Sequence, residues 1–108
     1  MNEPVVKRAK VSMHGVPAGV LEERLKGRSY AFKYLDIYSG PPISLTMPVR
    51  KEEYLFDTFP PFFDGLLPEG VQLDALLRQA KIDRDDFFTQ LVTVGRDLVG
   101  ATTVEPGS

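Results

Sequence analysis

Twelve residues, Phe59-Pro60-Pro61-Phe62-Phe63-Asp64-Gly65-Leu66-Leu67-Pro68-Glu69-Gly70, separate two parts of this chain that repeat with different periods. No other feature restricts the fold as much. Upstream, apolar residues recur at every second position, the spacing of strands with one buried face; downstream they recur at every third and fourth, the spacing of helices. The twelve residues themselves are apolar enough to be buried and too interrupted to be one long element. Thr58 is placed to cap a short helix whose first turn holds Pro60 and Pro61, where a missing N–H has no partner to lose. That helix is expected to run to about Leu67. Pro68 and Gly70 then break it, with Glu69 favourably charged at the start of a second helix.

Before the break, Val5, Ala9, Val11 and Met13 alternate with Arg8, Lys10 and Ser12, and only Lys7 violates the pattern. His14-Gly15 is a tight-turn candidate. Val16, Ala18 and Val20 alternate beyond it, so a hairpin is expected, with Pro17 placing its second strand at a sheet edge. Residues 21–28 read as charged, with a turn at Gly27. Residues 29–38 are the strongest strand signal: Tyr30, Phe32 and Tyr34 share one face, Ala31, Leu35 and Ile37 the other. Gly40-Pro41-Pro42 interrupts the chain, residues 43–47 form a short apolar piece closed by Pro48, and residues 50–54 are polar and expected at the surface.

After the break, Leu73, Leu76, Leu77 and Ala80 make one buried helical stripe, with Gln72, Asp74, Arg78 and Gln79 toward solvent. Asp83 and Asp86 resemble a capping box opening a third helix that carries Phe87, Phe88, Leu91, Val92 and Val94 and stops at Gly95. Residues 98–104 return to strand-like alternation, and residues 105–108 read as a frayed tail. Strands grouped before helices predict a single α+β domain over residues 1–108, a small, mostly antiparallel sheet of N-terminal strands plus a C-terminal strand, packed with three short helices.

Charge and composition exclude several classes of function. Thirteen basic and fifteen acidic residues leave a formal charge of −2, so no global field attracts nucleic acid or an anionic membrane. The helix expected over residues 69–80 carries only Arg78 and the next only Arg84, which is not a DNA recognition helix. No cysteine, no apolar run of membrane-spanning length and no signal peptide are present, and a cytoplasmic protein is expected. His14 is the single histidine, and the acids are spread along surface faces, so neither a metal site nor a carboxylate pair for acid–base work is expected. Gly65 and Gly70 enclose no phosphate-loop lysine, and Arg96-Asp97 reads as a local salt bridge. The reading is of a non-enzyme without cofactor.

Three blocks, read together, point further: Ser44-Leu45-Thr46-Met47-Pro48-Val49-Arg50, then residues 62–70, then Asp86-Phe87 with Val94-Gly95-Arg96-Asp97-Leu98-Val99-Gly100-Ala101. In this order they resemble the N-terminal subdomain of the HipA family of bacterial Ser/Thr kinase toxins, over roughly residues 5–106. The resemblance implies an α+β fold with a small antiparallel sheet. In HipA kinases this subdomain is followed by a catalytic body, none of whose motifs occurs before Ser108, so no catalytic residue is carried over. A domain of this kind without the kinase body resembles HipS of the three-component HipB-HipS-HipT systems. That resemblance implies an antitoxin whose partners are a HipT-like kinase toxin and a HipB-like helix-turn-helix protein. The alternatives are a non-inhibitory structural subunit, a truncated N-terminal subdomain of a HipA kinase, and a small-ligand binding module.

The partner contact is expected at the end of the opening stretch. Phe59, Phe62, Phe63 and Leu66 fall on one helical stripe suited to the core, whereas Gly65 and Leu67 are displaced from it. An apolar knob on a proline-glycine turn, rimmed by Asp64 and Glu69, has the layout of an interface hot spot. Asp64, Gly65, Leu67, Pro68 and Glu69 are the predicted contacts, joined by Phe63 if the helix is rotated. The Tyr30, Phe32 and Tyr34 face is the fallback.

Overall fold

Alternation makes the first third of the chain extended, and a two-residue turn sets its register. The computed structural model describes residues 5–25, 28–95, 98 and 100–107. It contains β1 (Val5–Met13), β2 (Val16–Arg24), β3 (Ser29–Tyr34), β4 (Tyr54–Phe56), α1 (Pro61–Asp64), α2 (Gly70–Ala80), α3 (Phe87–Val94) and β5 (Thr102–Pro106). The strands form one antiparallel sheet in the order β4-β3-β2-β1-β5. This is the predicted α+β class, with the C-terminal strand closing the sheet beside β1. The expected turn at Gly27, the Arg96-Asp97 pair and the last tail residue, Ser108, lie outside the described residues.

Met13 pairs directly with Val16, leaving His14 (φ 51°) and Gly15 (φ 79°) as the two turn residues. Positive φ at both positions is the hairpin geometry whose twist matches that of the flanking strands. β2 departs from expectation in two ways. It lies at the centre of the sheet, not at an edge, because β3 pairs with it only from Gly19 to Arg24 and leaves Pro17 beyond that ladder. A register shift opposite Val11 and Ser12 also breaks the alternation at Ala18, so Val20 no longer shares its face. Beyond that shift the buried residues are Gly19, Leu21 and Glu23, while Val20, Glu22 and Arg24 are partly exposed. The charged segment read after residue 20 is therefore strand as far as Arg24.

The inner face collects Ala9 and Val11 of β1, Leu21 of β2, Tyr30, Phe32 and Tyr34 of β3 and Val104 of β5, all buried. Phe63 of α1 meets Phe32 with ring centroids 5.8 Å apart, and Phe59 meets Tyr30 edge-on at 5.4 Å. Phe88 and Leu91 of α3 complete this core. The Tyr34 hydroxyl donates to the Met47 carbonyl at 2.5 Å and accepts the Ile43 amide at 3.0 Å, tying the 43–47 loop beneath the sheet end. β3 stops four residues short of the predicted end because the chain turns there, the Tyr38 amide donating to the Leu35 carbonyl, and Ile37 projects into solvent. β4, which begins at the last residue of the segment read as polar surface, adds a short edge strand against β3.

Helix ends also differ from expectation. Pro60, not Thr58, is the N-cap of α1, and no side chain caps it; Pro61 occupies the first helical position. Asp86 caps α3, its carboxylate accepting the Thr89 amide at 3.2 Å, whereas Asp83 contributes a carbonyl to the preceding turn. Gly95 does end α3, but with φ −60° and not in the left-handed conformation. Its role is steric: a Cβ there would sit 1.9 Å from the Val104 carbonyl oxygen, and the Gly95 carbonyl accepts the Val104 amide at 3.0 Å. Glu105 and Pro106, expected to fray, pair with Lys10 and Ala9, and the Gly107 amide donates to the Arg8 carbonyl.

Candidate partner-binding surface

The turn between α1 and α2 is built by prolines and short-range hydrogen bonds. Pro60 and Pro61 start α1 with their φ already restricted, and the Asp64 and Gly65 amides donate to the Pro60 and Pro61 carbonyls at 3.0 Å. The helix then tightens: Leu66 donates to the Phe63 carbonyl and Leu67 to the Asp64 carbonyl, both at 3.1 Å. Pro68 supplies no donor, and Glu69 stands extended as the N-cap of α2, its carbonyl accepting the Leu73 amide at 3.4 Å. The amides of Asp64, Gly65, Leu66 and Leu67 are thus all bonded to carbonyls of residues 60–64, which ties the start of the turn to α1.

Its side chains divide by exposure. Phe63 is completely buried, which places it in the core and removes it from the predicted contacts; α1 is not rotated to present it. Asp64, Gly65 and Glu69 are exposed, and Leu67 and Pro68 are half-buried. These five lie together on one turn. Beside them Gly65, Leu66, Leu67, Pro68, Gln72, Val94 and Leu98 line a shallow groove of about 460 Å³. The fallback face is overturned: Tyr30, Phe32 and Tyr34 are buried, against Phe59, against Phe63 of α1 and against Tyr38 and the 43–47 loop respectively.

Two further features were not anticipated. No residue of α2 is fully buried, because Leu73, Leu76 and Leu77 are only half-covered and Ala80 is exposed. Val71 in its first turn is 83% exposed. The sequence did hold a signal for Val71, since at 100° per residue it falls opposite the Leu73, Leu76 and Leu77 stripe, an aliphatic side chain on an otherwise polar face.

Several titratable groups elsewhere are matched to one another. Lys7, the residue that broke the alternation of β1, reaches α3 instead: its Nζ donates to both Asp86 oxygens at 2.9 and 3.2 Å and to the Thr89 hydroxyl at 2.8 Å. Burial works to raise the Asp86 pKa, but hydrogen bonds from Lys7 and Thr89 outweigh it and hold the carboxyl below its ordinary value. Burial of Tyr30, reinforced by the charge and hydrogen bond of neighbouring Glu23, pushes the tyrosine up to about 12. On the outer sheet face Glu22 bridges Arg8 and Arg24, and Arg24 grips Glu53 with two bonds of 3.0 and 2.9 Å. The Arg24 bond lowers the Glu53 pKa. Among the described residues no group of three or more His, Cys, Asp or Glu could hold a metal, and no helix is long and apolar enough to cross a membrane.

Comparison with known proteins gives this fold a family context. The profile of the HipA N-terminal domain matches residues 9–105. The chain is 32% identical over 101 residues to an uncharacterized protein of Haemophilus influenzae, covering 94% of the one and 93% of the other. It is 33% identical over 112 residues to the putative kinase Y4dM of Sinorhizobium fredii, where the match takes in 95% of this chain and only 27% of that protein. Among solved structures, an N-terminal domain of HipA toxin superposes with a TM-score of 0.73 at 28% identity, over 100% of this chain and 98% of that one.

Proposed function

The chain belongs to the HipA N-terminal domain family, and from that premise we propose that it is an antitoxin that binds and inhibits a HipA-like Ser/Thr kinase toxin in a three-component complex. One observation carries the reading. The same domain makes up about a quarter of a putative kinase in Sinorhizobium and nearly the whole of a separate protein in Haemophilus. A domain that a kinase carries in cis has a complementary surface on that kinase, and a separate copy can occupy such a surface in trans. Inhibition follows if the bound domain prefers an inactive arrangement of the kinase, since a ligand shifts an equilibrium only through its differential affinity for the two states.

The contact is assigned to Asp64, Gly65, Leu67, Pro68 and Glu69, extended by Val71. A pre-ordered turn of this kind loses little conformational freedom on binding, and a central apolar group inside a polar rim is the usual layout of a hot spot. A HipT-like kinase is the direct partner, and a HipB-like helix-turn-helix protein in the same complex is the DNA-binding component. The protein itself catalyses nothing in this reading and works in the cytoplasm. The coverage of Y4dM favours a second reading, in which this sequence is the N-terminal subdomain of a kinase. Titrating the purified protein into its cognate kinase separates the two, because an antitoxin lowers phosphoryl transfer in proportion to occupancy. Unchanged activity at saturation overturns the proposal.

A further inference from the structure

We infer that the partner surface meeting the α1–α2 turn is basic, an apolar socket flanked by lysine or arginine, and that attraction between the two governs how fast the complex forms. This rests on the proposed function and concerns the same turn. The observation is a segregation of charge. Between Lys51 and Arg78 the chain holds six of its fifteen acidic residues and none of its thirteen basic ones. Two of the six are matched from outside the segment, Glu53 by Arg24 and Asp74 by Arg84 at 2.6 Å. The other four, Glu52, Asp57, Asp64 and Glu69, are exposed, and none takes part in an ion pair among the described residues. Asp64 and Glu69 flank Leu67 and Pro68, so the apolar knob sits between two carboxylates that have no ion-pair partner among the described residues.

This arrangement selects among occupants. A second copy docking through the same face would set carboxylate against carboxylate, and an anionic membrane would repel it. A protein surface with cations around an apolar pocket satisfies both components. Rim charges of this kind act on the encounter: they raise association rates by roughly 10- to 1,000-fold at low salt and lose that effect as ionic strength rises.

The test is stopped-flow association with the cognate HipT-like kinase at 50 and 500 mM NaCl, using the wild type and an Asp64→Lys/Glu69→Lys double variant. For the wild type the association rate is expected to fall by about tenfold or more across that range. The double variant is expected to associate at least tenfold more slowly at low salt, with little salt dependence, while its melting temperature stays near that of the wild type. Equal, salt-insensitive rates for both proteins overturn the inference and leave the antitoxin reading standing. Self-association in sedimentation that Leu67→Ala abolishes also overturns it, because the knob then meets a second copy. No binding at either salt concentration overturns the functional reading and this inference together.

Discussion

Truncating Phe63 to alanine tests the division of the 59–70 stretch into core and surface. The ring is fully buried, with centroids 5.8 Å from Phe32 and 5.2 Å from Phe62. Losing roughly 120 Å² of buried ring at ~25 cal/mol per Å² removes about 3 kcal/mol, and the two aromatic partners add about 1 kcal/mol more. A total of about 4 kcal/mol falls within the range of about 3–5 kcal/mol seen for phenylalanine truncations in well-packed cores. Against a typical domain stability of about 5–15 kcal/mol this is a large fraction. Urea unfolding followed by far-UV circular dichroism suits a chain without tryptophan. The midpoint should drop by roughly 2 M for a slope of about 2 kcal/mol per M. Phe62→Ala, at a half-buried position, should cost clearly less. A loss below about 1 kcal/mol for Phe63→Ala would refute the placement and return Phe63 to the candidate surface.

Other perturbations follow from single contacts. Leu67→Ala should weaken kinase binding at least tenfold while costing about 1 kcal/mol of stability or less, as expected for a half-exposed side chain; calorimetric titration beside a thermal melt reads both. Gly95→Ala should destabilise by at least about 2 kcal/mol, since its Cβ would lie 1.9 Å from the Val104 oxygen and α3 and β5 would have to separate; denaturant unfolding measures it. Asp86 has a folded pKa below its ordinary value, so the stability it contributes is present above about pH 4 and is lost as pH falls through the folded pKa. The melting-temperature gap between wild type and Asp86→Asn should therefore be largest near pH 7 and close toward pH 2; a constant gap would mean that the Lys7–Asp86 pair has no net effect.

Much of the fold was legible because it rests on local rules. His14-Gly15 specifies a hairpin turn without reference to the rest of the chain, and Tyr30, Phe32 and Tyr34 declare one buried face by spacing alone. The misreadings arise where a distant element supplies the missing partner. Lys7 violates alternation only until Asp86 and Thr89 are seen beside it, and Glu22, Glu23 and Arg24 look like a solvated run until their pairing with Arg8, Tyr30 and Glu53 is known. β4 is three residues long, too short to show a period. Periodicity identified the apolar face of α2 correctly but not how much of the domain would cover it, and that face remains half-open. At the candidate site, the stripe of Phe59, Phe62, Phe63 and Leu66 picked out buried Phe59 and Phe63, but Phe62 and Leu66 are half-buried like Leu67, and all three pack against the core. The alternative of a rotated helix was removed only by tertiary packing.

Phosphoryl transfer by the cognate HipT-like kinase, measured while this protein is titrated to saturation alongside its Leu67→Ala/Glu69→Ala variant, tests the central claim most directly. The account predicts that the wild-type protein lowers the rate stoichiometrically, and that the variant, folded and with a melting temperature close to the wild type, needs at least tenfold more protein for the same effect. Full kinase activity in the presence of saturating wild-type protein would contradict it.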